Sequence, residues 1–281
     1  MTLLQAIILG IVQGLTEFLP VSSSGHLAIT QYLLGVPEDR VFFLTVMLHI
    51  GTLFSVMAVY WNDLWHMLTE FIWMCRDLIN GKGANLANEY RRLAVLIIVG
   101  SIPTGIMGIL FKDIFASFYT SNLVIGVSLL ITGSLLWFAE KSQRNRTDTL
   151  KPLERMTVKN ALAVGIFQGF AITPGISRSG STIAGALFQG INKETATRYS
   201  FLLSFPAILA ATLMETRDAV AYGLGDVTIP ILITGIATSF VAGVFAIRTL
   251  INFIKKERLY YFSFYTWTVG LIVVMISLIT R

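Results

Sequence analysis

Residues 6–25 read AIILGIVQGLTEFLPVSSSG, and residues 161–180 read ALAVGIFQGFAITPGISRSG. Each is an apolar helix closed by a turn of hydroxyls and glycine. Aligned without a gap, they share Ala6/Ala161, Gly10/Gly165, Ile11/Ile166, Gln13/Gln168, Gly14/Gly169, Ser22/Ser177, Ser24/Ser179 and Gly25/Gly180. Average residue usage would give roughly one or two identities in twenty positions, so the chain is an internal duplication. The copies differ where reactive groups sit: Glu17 faces Ile172, Ser23 faces Arg178 and His26 faces Ser181. A carboxylate in one copy and a guanidinium in the other predict one composite site.

The solvent around these helices follows from composition. Hydrophobic residues make up 54% of the 281, charged residues only 13%, and the mean hydropathy is +0.71. Soluble domains carry about a quarter charged residues, so the sequence is that of an all-α integral membrane protein. Apolar runs at 41–61, 93–111, 121–140, 229–247 and 260–280 are each long enough to cross a bilayer as helices, and 199–214 needs a turn from its flanks. The longest hydrophilic stretches, 62–92 and 141–159, are too short for a core of their own. The first, with Trp61, Trp65 and Trp73 among charges, predicts an interfacial helix. The opening MTLLQAIILG has no basic region and is expected to be part of the fold, not a cleaved signal. The expected organisation is one membrane domain over 1–281, with repeat 1 at about 1–140, repeat 2 at about 156–281 and a basic linker at 141–155.

The duplicated segments are not simple spans. Residues 2–19 suit a helix, but Pro20 and Ser22-Ser23-Ser24-Gly25 break it before a second short helix at about 26–35. Pro174, Gly175 and Ser177 to Gly180 break the later copy likewise. Each reads as a re-entrant hairpin, and backbone opened at membrane depth has to be satisfied by protein or by a polar cavity. If both hairpins return to the side they left, segments 62–92, 141–159, 192–198 and 248–259 share one face and carry sixteen Lys/Arg. Arg40, Lys112, Arg217 and Arg281 lie opposite, and Arg178 lies inside the membrane. If each hairpin crossed fully, the division would be twelve against eight. The positive-inside rule selects the first arrangement: six spans, two re-entrant hairpins, both termini outside. Three spans per half make the repeats antiparallel, so that the two tips meet near the midplane. Transporters also use inverted repeats with broken helices, which keeps a transporter or flippase of a phosphorylated prenyl lipid as the rival function.

At the first tip, Gln13 and Glu17 share a helical face, and Gly10 and Gly14 offer a surface for close approach of another helix. The carboxylate suits a metal or a base. Ser22, Ser23 and Ser24 with Gly25, placed before a helix, are equipped to bind phosphate, although serines and glycines also occur where membrane helices pack closely. Arg178 is costly at bilayer depth, about 2.5–3.5 kcal/mol on insertion scales, and needs a partner: a phosphate, which its planar fork fits, or an internal ion pair to Glu17. Around it, Ser177, Ser179, Gly180, Ser181 and Thr182 repeat the anion-binding turn, and two such turns face to face would cradle a diphosphate. His26, one residue past the first turn, is placed to act as acid, base or nucleophile. His49 reads as a hydrogen bonder inside the bundle and His66 as an interfacial residue. The single Cys75 permits no internal disulfide. No zinc spacing, P-loop, dinucleotide fingerprint or nucleic-acid motif occurs, and the net charge of +5 is accounted for by the basic loops.

The string QGLTEFLPVSSSGH over 13–26 resembles the (E/Q)xxxE and serine-glycine-histidine motif of bacterial undecaprenyl-diphosphate phosphatases of the bacitracin-resistance type. PGISRSGST over 174–182 is similar to their PGxSRSxxT motif. Length, duplication and span pattern agree throughout. The resemblance implies hydrolysis of undecaprenyl diphosphate to the monophosphate and inorganic phosphate, recycling the lipid carrier of cell-wall synthesis and conferring bacitracin resistance. It implies a bacterial plasma membrane protein among membrane lipids, its site opening to the periplasmic or outer face, with a divalent cation, Mg²⁺ or Ca²⁺, and with a homodimer allowed. Where some members have Glu, this chain has Gln13, so a metal held by Glu17 and Gln13 has one carboxylate fewer. On this resemblance Glu17 positions the metal or orients a nucleophile and Arg178 stabilises the transferring phosphoryl group. Ser23 attacks with His26 as acid–base partner; attack by His26 itself or by water fits the sequence as well.

Overall fold

A computed structural model describes residues 1–36, 38–119, 121–144, 150–222, 227–256 and 259–279. Residues 145–149 of the expected linker, with Arg146, and also Arg258 and Arg281, lie outside the described residues. The described residues are helical apart from turns, one short 3-10 turn and an isolated bridge between Lys151 and Ile191. The helices are α1 (Leu3–Phe18), α2 (Ser23–Leu33), α3 (Glu38–Val59), α4 (Trp61–Ile79), α5 (Glu89–Leu110), α6 (Lys112–Tyr119), α7 (Asn122–Arg144), α8 (Val158–Phe170), α9 (Arg178–Phe188), α10 (Lys193–Tyr222), α11 (Ile229–Lys256) and α12 (Tyr260–Ile279).

Five of these are long and apolar enough to cross a membrane: α5, α7, α10 over Lys193–Met214, α11 and α12. The bent pair α3 and α4 makes a sixth if taken as one span. The marginal run at 199–214 gains its length at the N-terminal side, where α10 starts at Lys193. α4 turns 81° away from α3. It buries Met67 and Met74 and leaves Trp61, Trp65 and Trp73 half exposed, the amphipathic form expected of an interfacial helix. Two details differ from the sequence reading. The short α6 has no counterpart in it, and α11 continues to Lys256, so most of 248–259 is helix.

The duplication is visible in where the helices begin. The starts of α1 and α8, of α2 and α9, and of α3 and α10 all differ by 155 residues. Thr2 and Thr157 close matching capping boxes with Gln5 and Asn160, and Ser22 and Ser177 cap α2 and α9 by accepting from the N–H of Gly25 and Gly180. Because the cap is Ser22, α2 begins within the serine run and not at about residue 26. Gln5 then donates from Nε2 to the Leu34 carbonyl, and Asn160 donates from Nδ2 to Gln189 Oε1. These are again equivalent pairs, and each ties the start of a hairpin to its end.

The hairpins pack across the halves. α1 lies on α11 of the second half, and α8 on α5 of the first. Small residues permit this contact: a Cβ on Gly14 would stand 2.5 Å from the Ser239 carbonyl, and Gly165 has the Gly100 carbonyl against it. Further, α3 packs on α11 and α10, and α7 on α12. The core includes Phe18, Leu93, Tyr199, Phe201 and Leu250, with Phe18 and Phe201 edge to face.

The four basic segments converge. Arg198 reaches Asp63 and Glu89, Arg92 donates to the Met156 carbonyl, and Lys193 pairs with Glu140, which also accepts from the Leu259 N–H. Residues of, or directly beside, segments 62–92, 141–159, 192–198 and 248–259 are therefore neighbours in the fold.

Candidate active site

The turns of the two hairpins touch. Ser24 accepts from the Gly175 N–H of the opposite turn at 3.1 Å, while its equivalent Ser179 donates to the Leu19 carbonyl at 3.1 Å. Gly175 has φ +86 and lies against Ile125 and Ser128, where a side chain has no room; only glycine makes this turn without strain. Two helices, α2 and α9, start at this junction, and their positive ends bring favourable potential for an anion.

Four side chains meet there. Arg178 Nη2 lies 2.8 Å from Glu17 Oε1, joining the two hairpins by an ion pair with 14% and 7% of the side chains exposed. Ser23 donates from Oγ to Glu17 Oε2 at 2.6 Å, and Gln13 donates to the same oxygen at 3.1 Å. The carboxylate is thus held from three sides. Two buried atoms beside it have no hydrogen-bond partner: Arg178 Nη1 and Gln13 Oε1. An unsatisfied buried polar atom costs about 1–3 kcal/mol, so the site presents one donor and one acceptor to a ligand. Ser22, immediately before Ser23, has φ 75 although it is not glycine. Such backbone costs of order 1–3 kcal/mol and is found at functional sites; here it delivers Ser23 to the carboxylate.

The other predicted residues have different employment. Ser22 and Ser177 are helix caps, Gly25 and Gly180 give them the N–H groups, and Ser24 and Ser179 bind the tips together. Thr182 bonds back to its own helix and to Ser200 at 2.6 Å, and Ser181 Oγ is buried without a partner. The expected pairing of Ser23 with His26 is not among the hydrogen bonds of the described residues. His26 Nδ1 lies 2.7 Å from the Ser22 carbonyl and Nε2 lies 2.8 Å from the Tyr265 hydroxyl. His49 bonds the Thr45 carbonyl within α3 and His66 that of Asn62. Among the described residues no three His, Cys, Asp or Glu side chains gather in a metal-binding group.

Comparison with known proteins gives this site a context. The profile of the bacitracin resistance protein BacA family matches residues 6–272. The chain belongs to the BacA family. It is 63% identical over 279 residues to an undecaprenyl-diphosphatase of Alkaliphilus metalliredigens, covering 99% of this chain and 100% of the relative. It is 44% identical to one of Halothermothrix orenii, covering 99% of each, and 42% identical to one of Desulforapulum autotrophicum, covering 97% of each. Beside the first hairpin of this BacA family member stands a residue that the sequence did not single out. Tyr265 stands among the aromatics of YYFSFYTW on α12, 239 positions from His26, and nothing in that run distinguishes it from its neighbours.

Proposed function

We propose that this protein hydrolyses undecaprenyl diphosphate to undecaprenyl phosphate and inorganic phosphate at the meeting point of the two hairpins, recycling the lipid carrier of cell-wall synthesis and conferring bacitracin resistance. The observation that carries this reading is the cluster of Glu17, Ser23 and Arg178, with one guanidinium nitrogen unpartnered. Arg178 offers Nη1 to a phosphoryl oxygen, where it would stabilise charge developing on the transferred group. Ser23 attacks the terminal phosphorus, and its proton passes to Glu17, the base already hydrogen bonded to it. The P–O bond to undecaprenyl phosphate breaks as the Ser23 O–P bond forms. Water then cleaves the phosphoserine, releasing phosphate and restoring the hydroxyl. His26, next to this turn, serves the proton transfers of the second step.

The donor set fits a divalent cation, Mg²⁺ or Ca²⁺, bound jointly with substrate. Glu17 and the free Gln13 Oε1 would hold it, as Mg²⁺ is commonly held by one or two carboxylates plus substrate phosphates. Such an ion supplies charge neutralisation at the diphosphate.

The arrangement in the bilayer is six spans with two re-entrant hairpins related as inverted repeats, about 1–140 and 156–281, in a bacterial plasma membrane. Convergence of the four basic segments, and the ties from Gln5 to Leu34 and from Asn160 to Gln189, support it. By the positive-inside rule the basic end is cytoplasmic, both termini are outside, and the site opens outward.

Purified protein in detergent should release phosphate from undecaprenyl diphosphate and lose that activity with EDTA. Rapid quench with a labelled terminal phosphate should trap a phosphoserine that is absent from Ser23→Ala. A phosphohistidine, or no adduct with water oxygen entering phosphate in a single turnover, would overturn the serine assignment. No phosphate release in detergent would overturn the enzyme reading and return a flippase to consideration.

A further inference from the structure

We propose that Tyr265 is a positioning residue for this site: while the Ser22 carbonyl keeps the proton of the neutral His26 ring on Nδ1, the Tyr265 hydroxyl holds Nε2 in place and satisfies it in both protonation states. The inference rests on the reading of the hairpin tips as a phosphatase centre for its kinetic consequence, but not for its structural one.

His26 lies on α2, one turn after the strained Ser22. Its Nδ1 is 2.7 Å from the Ser22 carbonyl, and a carbonyl oxygen only accepts. A neutral ring therefore carries its hydrogen on Nδ1, leaving Nε2 as a bare lone pair. The group facing that lone pair at 2.8 Å is the Tyr265 hydroxyl, which can donate. When the ring is protonated, Nε2 becomes a donor and the same phenol oxygen accepts. A hydroxyl is the partner that satisfies both states without rotation of the imidazole, the property required of a group that takes and returns a proton. An amide or a carboxylate opposite Nε2 would have to turn or change charge to do so.

The rings reinforce the bond. Their centroids are 5.6 Å apart and their planes 11° from parallel. On α12, the preceding Phe264 meets Trp137 and Trp267, edge to face with both, so that the aromatic cluster with α7 anchors the helix while Tyr265 is directed to the hairpin. Tyr265 is 47% exposed. The pair therefore lies at the surface of the bundle, beside the strained turn that carries Ser23. The second hairpin has no such device: the equivalent of His26 is Ser181, whose hydroxyl is buried and unpartnered. The first hairpin is also the less enclosed of the two, since α9 packs on α7, α8 and α10, whereas α2 lies mainly on α1.

The test is nitrogen NMR of the full-length protein labelled with ¹⁵N-histidine in detergent, with the His26 signals assigned by their absence from His26→Gln, together with steady-state kinetics. In the wild type the neutral ring should be protonated at Nδ1, with Nε2 showing a hydrogen-bonded lone pair. Tyr265→Phe keeps the ring stack and the volume but removes the hydroxyl. Its Nε2 signal should move to the position of an unbonded lone pair, with kcat lowered about tenfold, below the usual contribution of an acid–base group, and KM little changed. A wild-type ring protonated at Nε2 overturns the proposal, as does a Phe variant whose Nε2 signal is unchanged, or one in which the signal moves but kcat does not. If the wild type releases no phosphate, the functional reading fails while the NMR still decides whether Tyr265 sets His26.

Discussion

In the proposed mechanism Arg178 performs two tasks with one planar group: Nη2 pairs with Glu17, and the unpartnered Nη1 meets the phosphoryl group. A lysine ammonium keeps the charge but cannot address two partners in fixed directions. Arg178→Lys should therefore lose turnover nearly as completely as Arg178→Ala, on the order of 10²-fold or more in kcat/KM; near-normal kinetics in the lysine variant would show that Arg178 is a simple counter-charge. Glu17 separates the roles differently. Glu17→Gln keeps the size and can still accept from Ser23, but it no longer takes a proton. We expect phosphate release to fall roughly 10²–10⁴-fold, the range of a lost general base, with the protein folded and the thermal transition lowered by the loss of the ion pair. A Gln variant with full activity would remove Glu17 from the proton path.

Helices α1 and α8 approach their partners closely where small residues lie at the contact. Gly14→Leu has to push α1 off α11, since even a Cβ would meet the Ser239 carbonyl at 2.5 Å and the Gly243 nitrogen at 2.8 Å. Overpacking typically costs about 1–3 kcal/mol, occasionally more, so the thermal transition in detergent should fall and the site at the end of α1 should loosen. Gly105 on α5 is the control: nothing lies within 4 Å of its Cβ position, and Gly105→Ala should be neutral or slightly stabilising through helix propensity. Equal effects of the two substitutions would mean that the glycine contacts do not set the α1–α11 distance. The serines act at this scale too. Seven hydroxyls at the tips read from the sequence as belonging to phosphate-binding turns, yet Ser22 and Ser177 cap helices, Ser24 and Ser179 lock one turn to the other, Thr182 bonds back to α9, Ser181 is buried without a partner, and Ser23 is the one that reaches the carboxylate.

For the whole molecule, the arrangement of charge makes a topological statement. In a Cys75→Ser background, a cysteine at Lys151 should be shielded from an impermeant thiol reagent in intact cells and one at Glu38 should be labelled. The reverse pattern would overturn the inverted-repeat arrangement. The ion pairs of Arg198 with Asp63 and Glu89 bridge the two halves at the basic end. Arg198→Ala leaves Asp63 without its bidentate partner, and should destabilise the fold while leaving the geometry of the tips, and hence KM, largely intact.

The sequence by itself determined that the chain is helical, membrane-embedded and duplicated. These properties follow from hydropathy, from breakers such as Pro20 and Pro174, and from charge counts, all of which act over a turn or a span. Gln13 and Glu17 were legible as neighbours because the helical repeat places them there, and Arg178 was legible as a residue in need of a partner because a guanidinium at that depth is costly alone. The tertiary structure decided what no local rule specifies: that Glu17 takes both Arg178, 161 positions away, and Ser23; that His26 turns to Tyr265 instead of Ser23; and that most of the serines hold backbone. A hydroxyl has a similar propensity whether it caps, braces or reacts. Its role is assigned by the donor or acceptor that packing brings within 3 Å, and at these tips packing is governed by the contacts of α1 with α11 and of α8 with α5, between halves of the chain that are distant in sequence.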